Sequence, residues 1–173
     1  MPIEQRGTPM DPKQIATITR QLLEASTLCS IASVCDDGRP HINAAYFAWN
    51  DLTDIFWTSE PEAQHSRNVR ASGAVAIAVY DSNQPWGTPG GGIQLFGHAA
   101  ELEGEAAREA KATYQGRFPA FPEADYGGYR FYRCRPRQVK LFDERVLDDA
   151  TFVIARIDQD SEFVWERTDV YRA

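Results

Sequence analysis

A mainly β protein with flanking helices, folded as a closed or partly closed antiparallel barrel, is the architecture this sequence predicts. Three observations lead there: about eight short runs of strand composition, turn signals that join most of them as hairpins, and two or three helical stretches that interrupt them. That pattern favours a barrel over a parallel, doubly wound sheet, and closure also removes exposed strand edges. The 173 residues are enough for one domain with a substantial core. The expected organisation is an N-terminal tail over 1–10 followed by a single domain over 11–173, with no internal repeat, low-complexity tract or linker.

Asp11 and Pro12 open a helix whose apolar positions Ile15, Ile18, Leu22 and Leu23 share one face, running to about Ala25. The runs LCSIASV and RPHINAAYFAW then read as strands joined at CDDGR, where Asp37-Gly38 is a strong hairpin signal. A turn at Asn50-Asp51 leads to a third strand ending at Ser59, so a three-strand meander is expected. Ser59 followed by Glu62 matches a capping box, with Pro61 tolerated in the first turn, and places a helix start near Glu60. Gly73 is its C-terminal cap, and AVAIAVY reads as a strand buried on both faces.

The turn-forming loop DSNQPWGTPGGG has the length of a rim or lid before the strand IQLFGHAAEL, in which Gly97 marks a bulge or bend. A helix over about Glu105–Tyr114 follows, then the aromatic-rich segment GRFPAFPEADYGGYRFYRC. Further strands are expected at RQVKLFDE, FVIARI and FVWER.

Composition excludes several function classes. A net charge of −7 opposes a broad grip on nucleic acid, so any anion bound here needs a local pocket. Hydrophobic residues at 43% never form a run approaching the roughly 18 of a membrane span, and the first ten residues lack the apolar core of a signal peptide. The expectation is a cytoplasmic protein. Three cysteines, Cys29, Cys35 and Cys134, cannot all pair and read as free thiols; with His41 they lack the short ligand spacing of a zinc site, so no metal is expected. His65-Ser66 lacks the nucleophile elbow of a hydrolase, and TPGGG lacks the lysine and helix of a P-loop.

The chemistry concentrates between residues 54 and 82. Thr58 and Ser59 put two hydroxyls where a strand hands over to a helix, and His65, Ser66 and Arg67 add imidazole, hydroxyl and guanidinium donors. Together they could ring a phosphate. Glu60 and Glu62 count against the bare helix N-terminus as the anion site, leaving the side chains to supply the attraction. An exposed helix with solvated charge is the plain alternative for the same pattern.

The order of these elements, roughly residues 12 to 145, resembles the flavin-binding split β-barrel proteins of the pyridoxamine 5′-phosphate oxidase-like superfamily. The resemblance rests on the N-terminal helix, DDGRPHINAAYFAW, IFWTS, HSRNV, AVAIAVYDS and GIQLFGHAAEL. It implies an antiparallel split β-barrel with flanking helices. It further implies that strand-end hydroxyls and a basic helix, often Lys-x-Arg-Asn-Leu, hold the phosphate of FMN or of the deazaflavin F420. Those positions here read His65, Ser66, Arg67, Asn68 and Val69, so an imidazole replaces the lysine and weaker cofactor binding at alkaline pH is expected.

By the same resemblance the isoalloxazine lies against Asn43, Ala44 and Ala45, its edge read by backbone groups, and the cofactor sits at the interface of a homodimer. A family glutamine falls at Gly92, with Gln94 on the same strand as the remaining candidate. The tail matches the family's substrate segment only through Trp165 and Arg167, so a pyridoxal phosphate-producing oxidase is not expected. The leading function is an FMN-dependent oxidoreductase acting on a small molecule, with no catalytic side chain named. The alternatives are an F420-dependent reductase and a noncatalytic flavin or haem binder, with His41, His65 and His98 as conceivable axial ligands. Trp86 could stack on a flavin or substrate, or pack locally or against a second subunit.

Overall fold

A computed structural model describes residues 3–121 and 127–172 of the chain. Among them ten strands and three helices alternate as β1 (Ile3–Arg6), α1 (Pro12–Glu24), β2 (Leu28–Val34), β3 (Pro40–Tyr46), β4 (Ala48–Trp49), β5 (Ile55–Ser59), α2 (Gln64–Ala71), β6 (Ala74–Tyr80), β7 (Gly91–Glu101), α3 (Gly104–Arg117), β8 (Arg130–Asp143), β9 (Thr151–Ile157) and β10 (Phe163–Tyr171). The expected class holds: antiparallel β pairing dominates, and the helices flank it. Residues 122–126 of the aromatic segment lie outside the described residues. The chain divides into two compact units, one of residues 1–27, 78–96 and 137–173, the other of residues 28–77 and 97–136.

In the first unit α1 starts where Asp11 accepts the Lys13 amide at 2.7 Å, and its apolar stripe is buried as the spacing requires, Ile15 and Ile18 almost completely. The strand order begins β1-β10-β9-β8. β1, which carried no recognised strand signal, pairs Ile3 with Tyr171 and Glu4 with Val170, and a register shift between Trp165 and Arg167 bends β10. Trp165 and Arg167 have local partners: the indole donates to Thr168 Oγ1 at 3.1 Å, and Arg167 pairs with Asp169. At Gly92 an added Cβ would lie 2.8 Å from the Phe142 ring, so that ring fills the space a longer side chain would need.

The second unit carries the β2–β3 hairpin, registered from Leu28–Tyr46 to Val34–Pro40. Gly38 takes φ +82° at its turn and donates to the Cys35 carbonyl at 2.8 Å, so the Asp37-Gly38 signal reports a real hairpin. The expected meander does not continue. The fully buried Phe47 interrupts the ladder, and β5 pairs with the two-residue β4 and with β8, Ser59 facing Arg130 and Ile55 facing Cys134. The run AVAIAVY also differs from expectation. Val75, Ile77 and Val79 are buried while Ala76 and Ala78 are half-buried and Ala74 is exposed, so its small residues conceal the period of a strand with one covered face.

α3 covers this unit with Ala110 and Tyr114, which pack toward Phe56, Leu102 and Phe131. Gly97 is required by a close approach: a Cβ there would stand 2.3 Å from the Arg135 carbonyl oxygen and 2.7 Å from Pro136 Cα. Backbone atoms cannot rotate away as a side-chain tip can. Gly97→Ala is therefore expected to lower stability by about 1–3 kcal/mol, seen as a fall of roughly 2–12 °C in the thermal midpoint.

Candidate functional site

β3 ends the strand order of the second unit, paired to β2. Its outward residues show this: Ile42 is 68% and Tyr46 57% exposed, and no β3 side chain is fully buried. A cavity of about 660 Å³ runs along this strand, and four consecutive residues, Asn43, Ala44, Ala45 and Tyr46, line it. Successive strand residues point to opposite faces, so four in a row means that the strand's edge, with its backbone N–H and C=O groups, borders the space. The two alanines keep that border flat. Asn43 Oδ1 is buried without a hydrogen-bond partner among the described residues, a condition that costs about 1–3 kcal/mol unless a donor from water or a ligand meets it.

At one end of the cavity stand Thr58, Ser59 and His65. Ser59 Oγ and His65 Nε2 share a 2.6 Å hydrogen bond, and Thr58 Oγ1 donates to the Arg130 carbonyl at 3.2 Å. The Ser59 bond also explains why the capping box is not realised. Its hydroxyl faces the imidazole rather than a helix amide, residues 60–63 form a turn closed by the Ala63 amide on the Glu60 carbonyl, and α2 starts at Gln64 with no side-chain cap. Glu60 and Glu62 accordingly lie outside the helix and do not occupy its first turn.

The rest of the HSRNV motif holds this corner together. Ser66, wholly buried, donates to the Glu60 carbonyl at 2.8 Å, and Asn68 donates to Ser33 Oγ at 2.9 Å, tying α2 to β2. Arg67 is exposed and bonds the Glu62 carbonyl and, at 2.7 Å, Gln64 Oε1. Arg70 reaches the Pro61 carbonyl at 2.6 Å and Glu101 at 3.0 Å. Of the nine residues singled out by sequence, Asn43, Ala44, Ala45, Thr58, Ser59 and His65 line the cavity; Ser66 and Arg67 brace the turn beside it, and Gln94 is exposed on β7 in the first unit.

The opposite wall was not anticipated. It comes from the end of α3 and the residues after it, Tyr114 and Arg117 through Phe121, together with Tyr46 and Tyr129. The sequence signal for it is the aromatic-rich segment GRFPAFPEADYGGYRFYRC, to which the sequence analysis assigns no site residue. Of the other histidines, His98 is exposed on β7, while His41 on β3 stacks with His65 at 6.1 Å between ring centroids and 11° between planes. Among the described residues no group of three or more His, Cys, Asp or Glu is placed to hold a metal ion.

Burial pushes the His65 imidazole below its ordinary value near 6.5, and the neighbouring His41 adds to that effect. The ring is therefore neutral near pH 7 in the free protein. The unfolded chain takes up this proton at a higher pH than the folded one, so the neutral ring's contribution is fully present above about pH 6.5 and is lost as pH falls through the folded-state value. Between pH 7.5 and 5 the ligand-free wild type should lose more of its thermal midpoint than His65→Gln does, as scanning calorimetry on both proteins would show.

Comparison with known proteins places this geometry in context. No curated protein matches the sequence. A pyridoxamine 5′-phosphate oxidase-related, FMN-binding protein from Nostoc punctiforme has a similar structure, with TM-score 0.62, 12% identity, and coverage of 90% of this chain and 93% of that one. So does a heme-binding protein from Mycobacterium smegmatis, with TM-score 0.63, 12% identity, and coverage of 96% and 90%. The heme storage protein HutZ from Vibrio cholerae aligns at TM-score 0.59 and 20% identity over 72% of this chain and 91% of its own. These likenesses establish the fold. The family description pyridoxamine 5′-phosphate oxidase matches residues 17–143, nearly three quarters of the sequence and all of the cavity's lining, and the chain belongs to that family.

Proposed function

We propose that the cavity binds FMN and that the protein is an oxidoreductase passing hydride or electrons to a small molecule. The observation that carries this is the open edge of β3 bordering the cavity over Asn43, Ala44 and Ala45. A flat heterocycle with alternating N–H and C=O groups along one side is the ligand that such an edge and two short side chains accommodate. The unpartnered Asn43 Oδ1 would accept from the same ring. Family membership supports the reading, as does the FMN-binding protein of the same fold. When bound, the flavin supplies the redox chemistry; the chain's part is binding, orientation and exclusion of water, and no side chain is assigned as acid or base.

Thr58, Ser59 and His65 form the end that would receive the phosphate. Ser66 and Arg67 enter the proposal as groups that fix the turn carrying it, and Gln94 remains outside it. The reading also includes a homodimer that covers the exposed outer face of β3 around Ile42. Two haem proteins share the fold; here His65 Nε2 is engaged by Ser59 at 2.6 Å, which leaves only Nδ1 of that ring to meet iron.

The visible absorption and mass of the copurified ligand separate FMN, F420 and haem, and FMN is the expected result. Uptake of haem without flavin would end the reading. In titrations of ligand-free protein FMN should bind at least about tenfold more tightly than riboflavin at pH 6.5. Phosphate beside His65 raises its pKa, so FMN affinity grows as pH falls through the bound-state value, and the preference should shrink at pH 8.5 in the wild type but stay level in His65→Gln. Ala45→Leu should weaken FMN binding about a hundredfold while the thermal midpoint moves by only a few degrees, because the added bulk enters the cavity rather than the core.

A further inference from the structure

Two buried rings back the hydroxyl end of the cavity, and neither has a part in holding the proposed cofactor. Trp57 immediately precedes Thr58 and Ser59, and strand alternation puts it on the same face of β5 as Ser59, roughly 7 Å along the strand. Tyr132 on β8 is its partner in the register. The two rings stack at 5.6 Å between centroids and 16° between planes, and both residues are completely buried.

The pair is asymmetric toward protons. Trp57 Nε1 is buried with no hydrogen-bond partner among the described residues, whereas the Tyr132 hydroxyl donates to Glu101 Oε2 at 3.2 Å. Arg70 Nη1 donates to that same oxygen at 3.0 Å and Arg130 Nε stands 3.8 Å from the other, which fixes the carboxylate beside the phenol. The Glu101 side chain is 20% exposed, so a proton it receives can pass on to water. Burial pushes the Tyr132 phenol above its ordinary value near 10, so at neutral pH it has a proton to give.

We propose that Trp57 and Tyr132 form a one-electron relay between the cavity and Glu101, with Trp57 as the internal electron donor to a photoexcited flavin. This rests on the reading of the cavity as a flavin site. One electron passes from the indole to the flavin and leaves an indole radical cation. With no base beside its N–H, that cation keeps its proton and remains strong enough an oxidant to take an electron from Tyr132. The phenol proton moves to Glu101 Oε2 as the electron leaves. The electron thus ends on the flavin, the proton on Glu101, and the oxidised site is a neutral Tyr132 phenoxyl radical. A phenol is readily oxidised only where a base accepts its proton, so the placement of Glu101 gives the relay its direction.

The test uses the FMN-loaded protein, its flavin content measured first by absorption, then frozen under blue light without dioxygen and read by electron paramagnetic resonance. The wild type should give a tyrosyl radical. In Tyr132→Phe, which removes one hydroxyl, and in Glu101→Gln, which removes the base, that signal should be lost and a tryptophan radical should take its place. Trp57→Phe should lose both signals and lengthen the emission lifetime of the flavin, whereas Trp165→Phe should change neither. A wild type without a tyrosyl radical, a tyrosyl signal that survives in Tyr132→Phe, Glu101→Gln or Trp57→Phe, or an emission lifetime unchanged in Trp57→Phe would each overturn the relay. The wild-type spectrum and the mild Tyr132→Phe change decide the matter even if Trp57→Phe fails to fold. Protein that holds flavin but gives no tyrosyl radical loses the relay alone, and protein that takes up no flavin loses the cofactor reading and, with it, the oxidant of the relay.

Discussion

A strand with a partner on one side has backbone groups on the other that something must satisfy, and in this chain the strand is β3 and the space beside it is the cavity. An edge in open water meets that demand with solvent. An edge bordering a concave, partly apolar space is a recognition surface, because a molecule entering it must replace the water it displaces. The side chains around β3 suit this use. Asn43 adds an acceptor with no partner, the alanines remove bulk, and the cavity is bounded at one end by hydroxyls and at the other by a guanidinium among aromatic rings.

The motif between Ser59 and Arg70 divides its work in two. Ser66, Asn68 and Arg70 direct their polar atoms at main-chain carbonyls, Ser33 or Glu101, and by doing so they fix the turn after β5 and the tilt of α2 against β2. Ser59 and His65 are what that bracing delivers to the cavity. A hydroxyl–imidazole pair differs physically from a lysine at the same place. Near neutral pH it gains charge when an anion draws a proton to it, so attraction and occupancy are coupled through pH.

The fold was largely legible because its signals are local. Asp11-Pro12 starts α1, Asp37-Gly38 turns the first hairpin, and Gly73, at φ +69°, follows the end of α2. The failures were matters of context. Ser59 has the side chain of a helix cap, but the residue it meets is six positions away in sequence and adjacent only in space. β6 has the composition of a strand buried on both faces because alanine suits a half-covered face as well as a covered one. In the site, the strand-end and helix residues could be found since one short stretch contains most of them. Arg117 could not, because its partners Phe47 and Trp49 lie about seventy positions earlier, and nothing in the segment around it specifies that return.

Two of the three cysteines lie in the core of the unit that holds the cavity, and burial raises each thiol to about 12. Near neutral pH both therefore stay thiols, with almost no nucleophilic thiolate. Cys29 and Cys134 thus behave as small apolar side chains whose sulfur fills core volume.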